Sequence, residues 1–192
     1  ARDGDEYVIN GQKTFITNGQ NCDFVLVACT TDPSAGGRGI SLVIVETDRA
    51  GFSRGRNLDK IGQKAADTSE MFFQDVRVPI SNLVGEEGEG FPIMMRELPR
   101  ERITIACRAQ AEAQRAFDIT TDYVKERKAF GKAIFEFQNT QFTLADMKTN
   151  LEVGWAYLDQ CIKKCDEGVL TPEEGAMAKL WTTENEGVVV DK

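Results

Sequence analysis

Gly85-Glu86-Glu87-Gly88-Glu89-Gly90 divides this chain, because apolar residues recur with different periods on its two sides. Upstream they come in short runs rich in β-branched and aromatic types: Tyr7-Val8-Ile9, Thr14 to Thr17, Phe24 to Cys29, Ile40 to Val45 and Met71 to Val78. Eleven of the 17 glycines lie at or before Gly88, so turns punctuate this half. Asn10-Gly11 reads as a hairpin between the first two runs, and Asn18-Gly19 as a second turn. Short strands with no helix between them predict an antiparallel β-sandwich or barrel over residues 1–88.

Downstream the period becomes helical. Ala106, Ala109, Ala113, Ala116, Phe117, Thr120 and Val124 step by three and four. Pro99 fits near the start of this helix, where a missing N–H is tolerated, and Gly131 fits as its stop. Leu144, Met147, Leu151, Trp155, Leu158, Ile162 and Cys165 form the stripe of a second helix. A third opens at Thr171-Pro172-Glu173-Glu174 and runs through Met177, Leu180 and Trp181. Residues 89–192 therefore read as an up-down helical bundle, incomplete at its end, and the fold class as α+β. The acidic glycine stretch has neither the Rossmann spacing nor a following Gly-Lys-Ser/Thr, and reads as a flexible connector.

Composition removes several chemistries. The 192 residues include no histidine, which excludes Ser-His-Asp and Cys-His nucleophile systems and any His-ligated metal; no metal site is expected. Proton transfer then falls to a carboxylate, Lys, Tyr or Cys. The net charge of −8 is spread evenly, with 9 basic and 13 acidic residues up to Gly88 and 14 and 18 after it, which disfavours nucleic acid as a partner. The five cysteines include no C-x-x-C pair and read as reduced thiols of an intracellular protein. No apolar run approaches the ~20 residues of a membrane span.

Three local features can carry chemistry. Thr14-Phe15-Ile16-Thr17-Asn18-Gly19 is a strand ending in a tight turn, where an aromatic ring could cover a planar heterocycle while N–H groups and a hydroxyl meet its polar edge. Pro99-Arg100-Glu101-Arg102 places an acid where a helix N-terminus would stabilise its anion, and where an apolar pocket would raise its pKa toward that of a general base. Arg127-Lys128-Ala129-Phe130-Gly131-Lys132, followed by Gln138, combines a guanidinium with a glycine-relieved backbone, as a pyrophosphate requires. Each also has a plain structural reading: an ordinary hairpin strand, a first-turn acid and a basic helix end.

Taken in order, these segments are more specific. Lys13 to Gly19, then Asp67-Thr68-Ser69-Glu70 before Met71 to Val78, then Val84 to Phe91, then Arg127 to Lys132 with Gln138, resemble the acyl-CoA dehydrogenase family across nearly the whole chain. The resemblance implies a middle β-domain and part of a C-terminal helical bundle. It also implies oxidation of acyl-CoA thioesters with FAD, and electron transfer to electron-transferring flavoprotein.

Residue by residue, the resemblance implies that Phe15, Ile16 and Thr17 lie against the flavin, with Phe15 where most members have Trp and long-chain-type members share Phe. Arg127, Phe130 and Gln138 match the segment that binds the FAD of a neighbouring subunit, so a homo-oligomer, dimer or tetramer, is expected. Ala129 lacks the hydroxyl that some relatives carry there. Arg38, in Gly36-Gly37-Arg38-Gly39, falls where CoA phosphates would lie. Glu101 matches the α-proton base of long-chain and isovaleryl-type members, with Pro99, Arg100 and Arg102 beside the substrate. By the same resemblance the chain lacks the family's N-terminal helical domain and last helix, so these residues alone are expected to be inactive and to bind FAD poorly. The compartment implied is a bacterial cytoplasm or a mitochondrial matrix. A non-catalytic interaction module and an acyl-CoA oxidase on the same fold are the competing readings; a reduced-flavin monooxygenase would need no base at Glu101.

Overall fold

The computed structural model describes residues 1–192, in two compact units, Ala1–Met94 and Met95–Lys192. The first is built from two antiparallel sheets. Strands β1 (Arg2–Asp3), β2 (Glu6–Thr17), β5 (Phe52–Asn57) and β6 (Thr68–Pro79) form one sheet in the order β1-β2-β6-β5. Strands β3 (Phe24–Thr30), β4 (Ile40–Glu46) and β7 (Leu83–Val84) form the other in the order β3-β4-β7. Alternation turns Tyr7, Ile9, Met71, Phe73, Val76 and Val78 of the first sheet onto Val27, Val43 and Val45 of the second, giving one buried core.

Asn10-Gly11 makes no hairpin. The runs on either side of it belong to the single strand β2, and both pair with β6 rather than with each other. The pairing slips there because β6 carries the extra residue, Gln74 and Asp75 facing Asn10 alone: Asn10 Nδ2 donates to Asp75 Oδ1 at 2.9 Å, and the Asp75 N–H donates back to Asn10 Oδ1 at 2.8 Å. The turn at Asn18 is present, with Asn18 at φ 62°. Strand β5 has one apolar residue among arginines and so shows no run in the sequence; the Phe52 ring meets Phe73 edge-on at 5.4 Å.

Residues 85–90 are not a loose connector. Tyr7 Oη donates to Glu87 Oε1 at 2.5 Å, and burial, reinforced by that carboxylate, pushes the phenol up to about 12. The Gly88 N–H donates to Ser41 Oγ at 2.9 Å, and Gly90 is buried against the backbone of Ile40 to Leu42. At the other end of β4, Glu46 accepts from Arg49 and from Asn82 Nδ2, and the Arg49 contact leads in pulling its carboxyl down to about 2. Its folded pKa lies below the ordinary value of 4.5, so this stabilisation is present above pH 4.5 and is lost as pH falls toward 2. Arg49→Ala is expected to flatten the pH dependence of unfolding in that window, as measured by denaturant titration at successive pH values.

The second unit contains the body of α1 (Gly90–Glu126), a hairpin of β8 (Lys128–Ala129) and β9 (Lys132–Ala133), α2 (Gln138–Asp166) and α3 (Pro172–Asp191). Ile103 and Ala106 pack with Leu158, Cys161 and Ala178, while Ala113 packs with Met147, Leu151 and Val189. The helices therefore run up, down and up. Pro99 lies inside α1 rather than at its start, and Gly131 lies in the hairpin turn beyond it. The helix begins earlier because Gly90 is held on β4.

The buried stripe of α2 runs Leu151, Gly154, Leu158, Cys161, leaving Trp155, Ile162 and Cys165 half-buried at its flank. Gly154 is needed there because the fully buried Gln110 of α1 lies over it, its Nε2 donating to the Leu151 carbonyl at 2.8 Å. Helix α3 opens at the expected N-cap Thr171 with Pro172 in its first turn, and Thr171 and Glu174 also form a capping box. Its large residues Met177, Leu180 and Trp181 face outward, while Gly175, Ala178, Thr182, Asn185 and Val189 face in.

Candidate functional site

In the β unit, the pairing of β2 with β6 slips between Lys13 and Ile16, which takes Thr14 and Phe15 out of the ladder. Phe15 adopts φ 63°, a left-handed conformation unusual for an aromatic residue, and its side chain is 76% exposed. Ile16 returns to the sheet, pairing with Ser69 and packing on the core. Thr17 is exposed and lines a cavity of about 370 Å³ with Lys60, Gly62, Gln63, Ala66 and Thr68. Sequence reasoning misses the loop that contributes Lys60 and Gln63, since nothing in its polar, glycine-containing composition separates it from any surface loop. Arg38 is exposed, at the end of the 3₁₀ segment Pro33–Gly39, and no hydrogen bond or ion pair engages its guanidinium.

In the helical unit, Glu101 lies more than three turns beyond Gly90, so the helix N-terminus lends its carboxylate nothing; that expectation is corrected. It is exposed on the face of α1 turned away from Ile103, Ala106 and Ala109. No hydrogen bond or ion pair occupies it, whereas Glu97 and Glu112 are bound to Arg96 and Arg108. Arg100 is exposed and Arg102 half-buried. Pro99 packs against α3, where a Cβ on Gly175 would lie 3.1 Å from the Pro99 carbonyl oxygen.

The hairpin after α1 brings the basic segment to the start of α2. The Arg127 carbonyl accepts the Ile134 N–H at 2.8 Å, and the Arg127 side chain is exposed. Phe130 and Gly131 both have positive φ, as a primed two-residue turn requires, and Phe130 is 96% exposed. Its ring stands edge-on to Phe137 at 6.4 Å, and Lys132 Nζ lies 4.2 Å from the centroid of the Phe137 ring. Gln138 is the exposed first residue of α2, whose N-cap Phe137 offers no side-chain acceptor to the leading N–H groups. The Arg127, Lys128 and Lys132 side chains are exposed, and the contact of Lys132 with Phe137 carries its ammonium to the start of α2.

Residues 1–76 match the family model of the acyl-CoA dehydrogenase middle domain, and residues 88–192 that of its C-terminal domain. The chain belongs to the acyl-CoA dehydrogenase family. It is 45% identical over 185 residues to the mitochondrial long-chain specific acyl-CoA dehydrogenase of Sus scrofa, covering 95% of this chain and 43% of that protein. It is 44% identical over 178 residues to the short-chain specific acyl-CoA dehydrogenase of Clostridium acetobutylicum, covering 93% and 47%. An acyl-CoA dehydrogenase structure from Geobacillus kaustophilus superposes with a TM-score of 0.96 at 50% identity, covering 98% of this chain and 50% of that one. The chain thus spans about half the length of the acyl-CoA dehydrogenases it matches.

Proposed function

We propose that this chain belongs to an FAD-dependent enzyme that converts a fatty acyl-CoA thioester to the trans-2-enoyl-CoA. The activity is that of the complete protein; these 192 residues alone are expected to be inactive. The observation that carries the reading is Phe15, an exposed aromatic ring in left-handed backbone within a strand bulge, in a chain of this family. Bulges re-aim side chains, and strained non-glycine backbone gathers at binding sites.

The residues present fit FAD. Phe15 offers a flat apolar surface, Ile16 fixes the strand beneath it, and the Thr17 hydroxyl opens onto a polar cavity. Arg127, Phe130 and Gln138 at the start of α2 suit the pyrophosphate of the FAD of a neighbouring subunit. When bound, FAD supplies the acceptor for the hydride that leaves the substrate's β-carbon.

Glu101 removes the pro-R α-proton, which the thioester carbonyl acidifies once its oxygen receives hydrogen bonds in a dry site. Its carboxylate is available because no ion pair holds it. Pro99, seated on Gly175, fixes the segment that carries it, with Arg100 and Arg102 beside the substrate. In the β unit, the exposed Arg38 suits the phosphates of CoA.

Electron-transferring flavoprotein is the proposed acceptor, and a bacterial cytoplasm or mitochondrial matrix the proposed compartment. The largely apolar groove of about 520 Å³ lined by Val153, Tyr157, Met177, Leu180, Trp181 and Glu184 supports a homo-oligomer, as does the exposure of Arg127 and Phe130. A panel of acyl-CoA chain lengths with an artificial electron acceptor tests the reading on the complete protein. Turnover of CoA thioesters without peroxide is expected; stoichiometric hydrogen peroxide would make it an oxidase, and no turnover of any thioester would leave only a shared scaffold.

A further inference from the structure

We propose that Asp67 is the positioning residue for the turn that presents Phe15 to Thr17 to the flavin, an inference that rests on the reading of that strand given above. Asp67 closes the loop before β6 and grips the turn that follows β2. Its Oδ2 accepts the Gln20 backbone N–H at 2.6 Å, its Oδ1 accepts Asn21 Nδ2 at 3.3 Å, and its carbonyl accepts the Asn18 N–H at 3.4 Å. Three of the turn's four residues are therefore held by one residue.

The turn needs such a clamp. Phe15 and Asn18 both have left-handed backbone, and Thr17 lies between them on the rim of the cavity shared with Lys60 and Thr68. Gly19 is buried so tightly that a Cβ there would lie 2.9 Å from that of Ser69. Neutral contacts assist: Gln20 Nε2 donates to Ser69 Oγ at 2.9 Å and to the Gly55 carbonyl at 3.0 Å. Arg54 Nε donates to the Gly19 carbonyl at 3.0 Å. Asp67 is the one anionic acceptor among these, and a backbone N–H bound to a carboxylate is the stronger kind of hydrogen bond. It is not part of the sandwich core, so its loss should free the turn without loosening the sheets.

Hydrogen exchange and flavin binding on the same variants test the proposal. Asp67→Ala is expected to speed exchange of the amides from Asn18 to Cys22 about tenfold or more, while those of β3 and β4 stay protected. In the complete protein it is expected to weaken FAD binding about tenfold and to move the flavin absorption spectrum toward that of free FAD. Asp67→Asn keeps an oxygen for the Gln20 N–H and is expected to restore both readouts to within about threefold of the parent. Phe15→Ala is run beside them and is expected to alter the spectrum without touching exchange at the turn. If Phe15→Ala changes the spectrum but Asp67→Ala leaves either exchange or flavin binding unchanged, the role of Asp67 is overturned. An unchanged spectrum in Phe15→Ala overturns the reading of the strand itself, and the proposal with it.

Discussion

Glu101→Gln in the complete protein is expected to lower acyl-CoA dehydrogenation by about 10³-fold, with fold and flavin content preserved. The amide is nearly isosteric but cannot accept a proton at neutral pH. The side chain is exposed and takes part in no hydrogen bond or ion pair, so no native interaction is lost. Exposed substitutions of that kind change stability by no more than about 0.5 kcal/mol. A loss of kcat at unchanged flavin content therefore reports on chemistry alone. Unchanged turnover would remove Glu101 from the mechanism.

Gly90→Ala is expected to cost about 3 kcal/mol, the largest stability effect among the exchanges considered. An ideal Cβ at Gly90 would lie 2.8 Å from the Ile40 carbonyl oxygen, 2.8 Å from the Ser41 carbonyl carbon and 3.0 Å from the Leu42 nitrogen. All three are backbone atoms of β4, which is held by β3 on one side and β7 on the other, so no rotamer change relieves the overlap. Either α1 starts late or β4 shifts. Gly187 provides the control: it lies within α3 with nothing within 4 Å of an added methyl, and Gly187→Ala should stabilise by about 0.5–1 kcal/mol. Equilibrium chemical denaturation of the two variants beside the parent checks both signs.

These two residues also mark what could and could not be read from the chain. The periods on either side of residues 85–90 identified β-strands and helices because burial on one face imposes period two or 3.6. The same stretch read as a flexible acidic linker, since three glutamates and three glycines show neither the Tyr7 hydroxyl nor the Ser41 hydroxyl that hold it. Asn10-Gly11 failed for a similar reason: its turn chemistry gives no sign that the segment runs on as one strand opposite a bulge carried by β6. On α2, Gly154 was invisible as a core position because its importance lies in Gln110, 44 residues away on another helix.

The site was legible as segments and illegible as geometry. Phe15, Ile16 and Thr17 stood out as a strand end, but the left-handed turn of Phe15 follows from the slipped pairing with β6. Glu101 stood out between two arginines, yet its supposed place at a helix start depended on Pro99 behaving as a first-turn proline. Instead Gly90 begins the helix, and Pro99 serves to seat Gly175.

The most direct test of the central claim is α-proton exchange in heavy water, measured with acyl-CoA bound to the oxidised and to the reduced enzyme. One α-hydrogen of the thioester is expected to wash out stereospecifically, and the visible flavin absorption to be lost anaerobically as enoyl-CoA forms in equal amount. Glu101→Gln is expected to abolish both. Exchange and flavin reduction that persist at the parental rate in that variant would contradict Glu101 as the base.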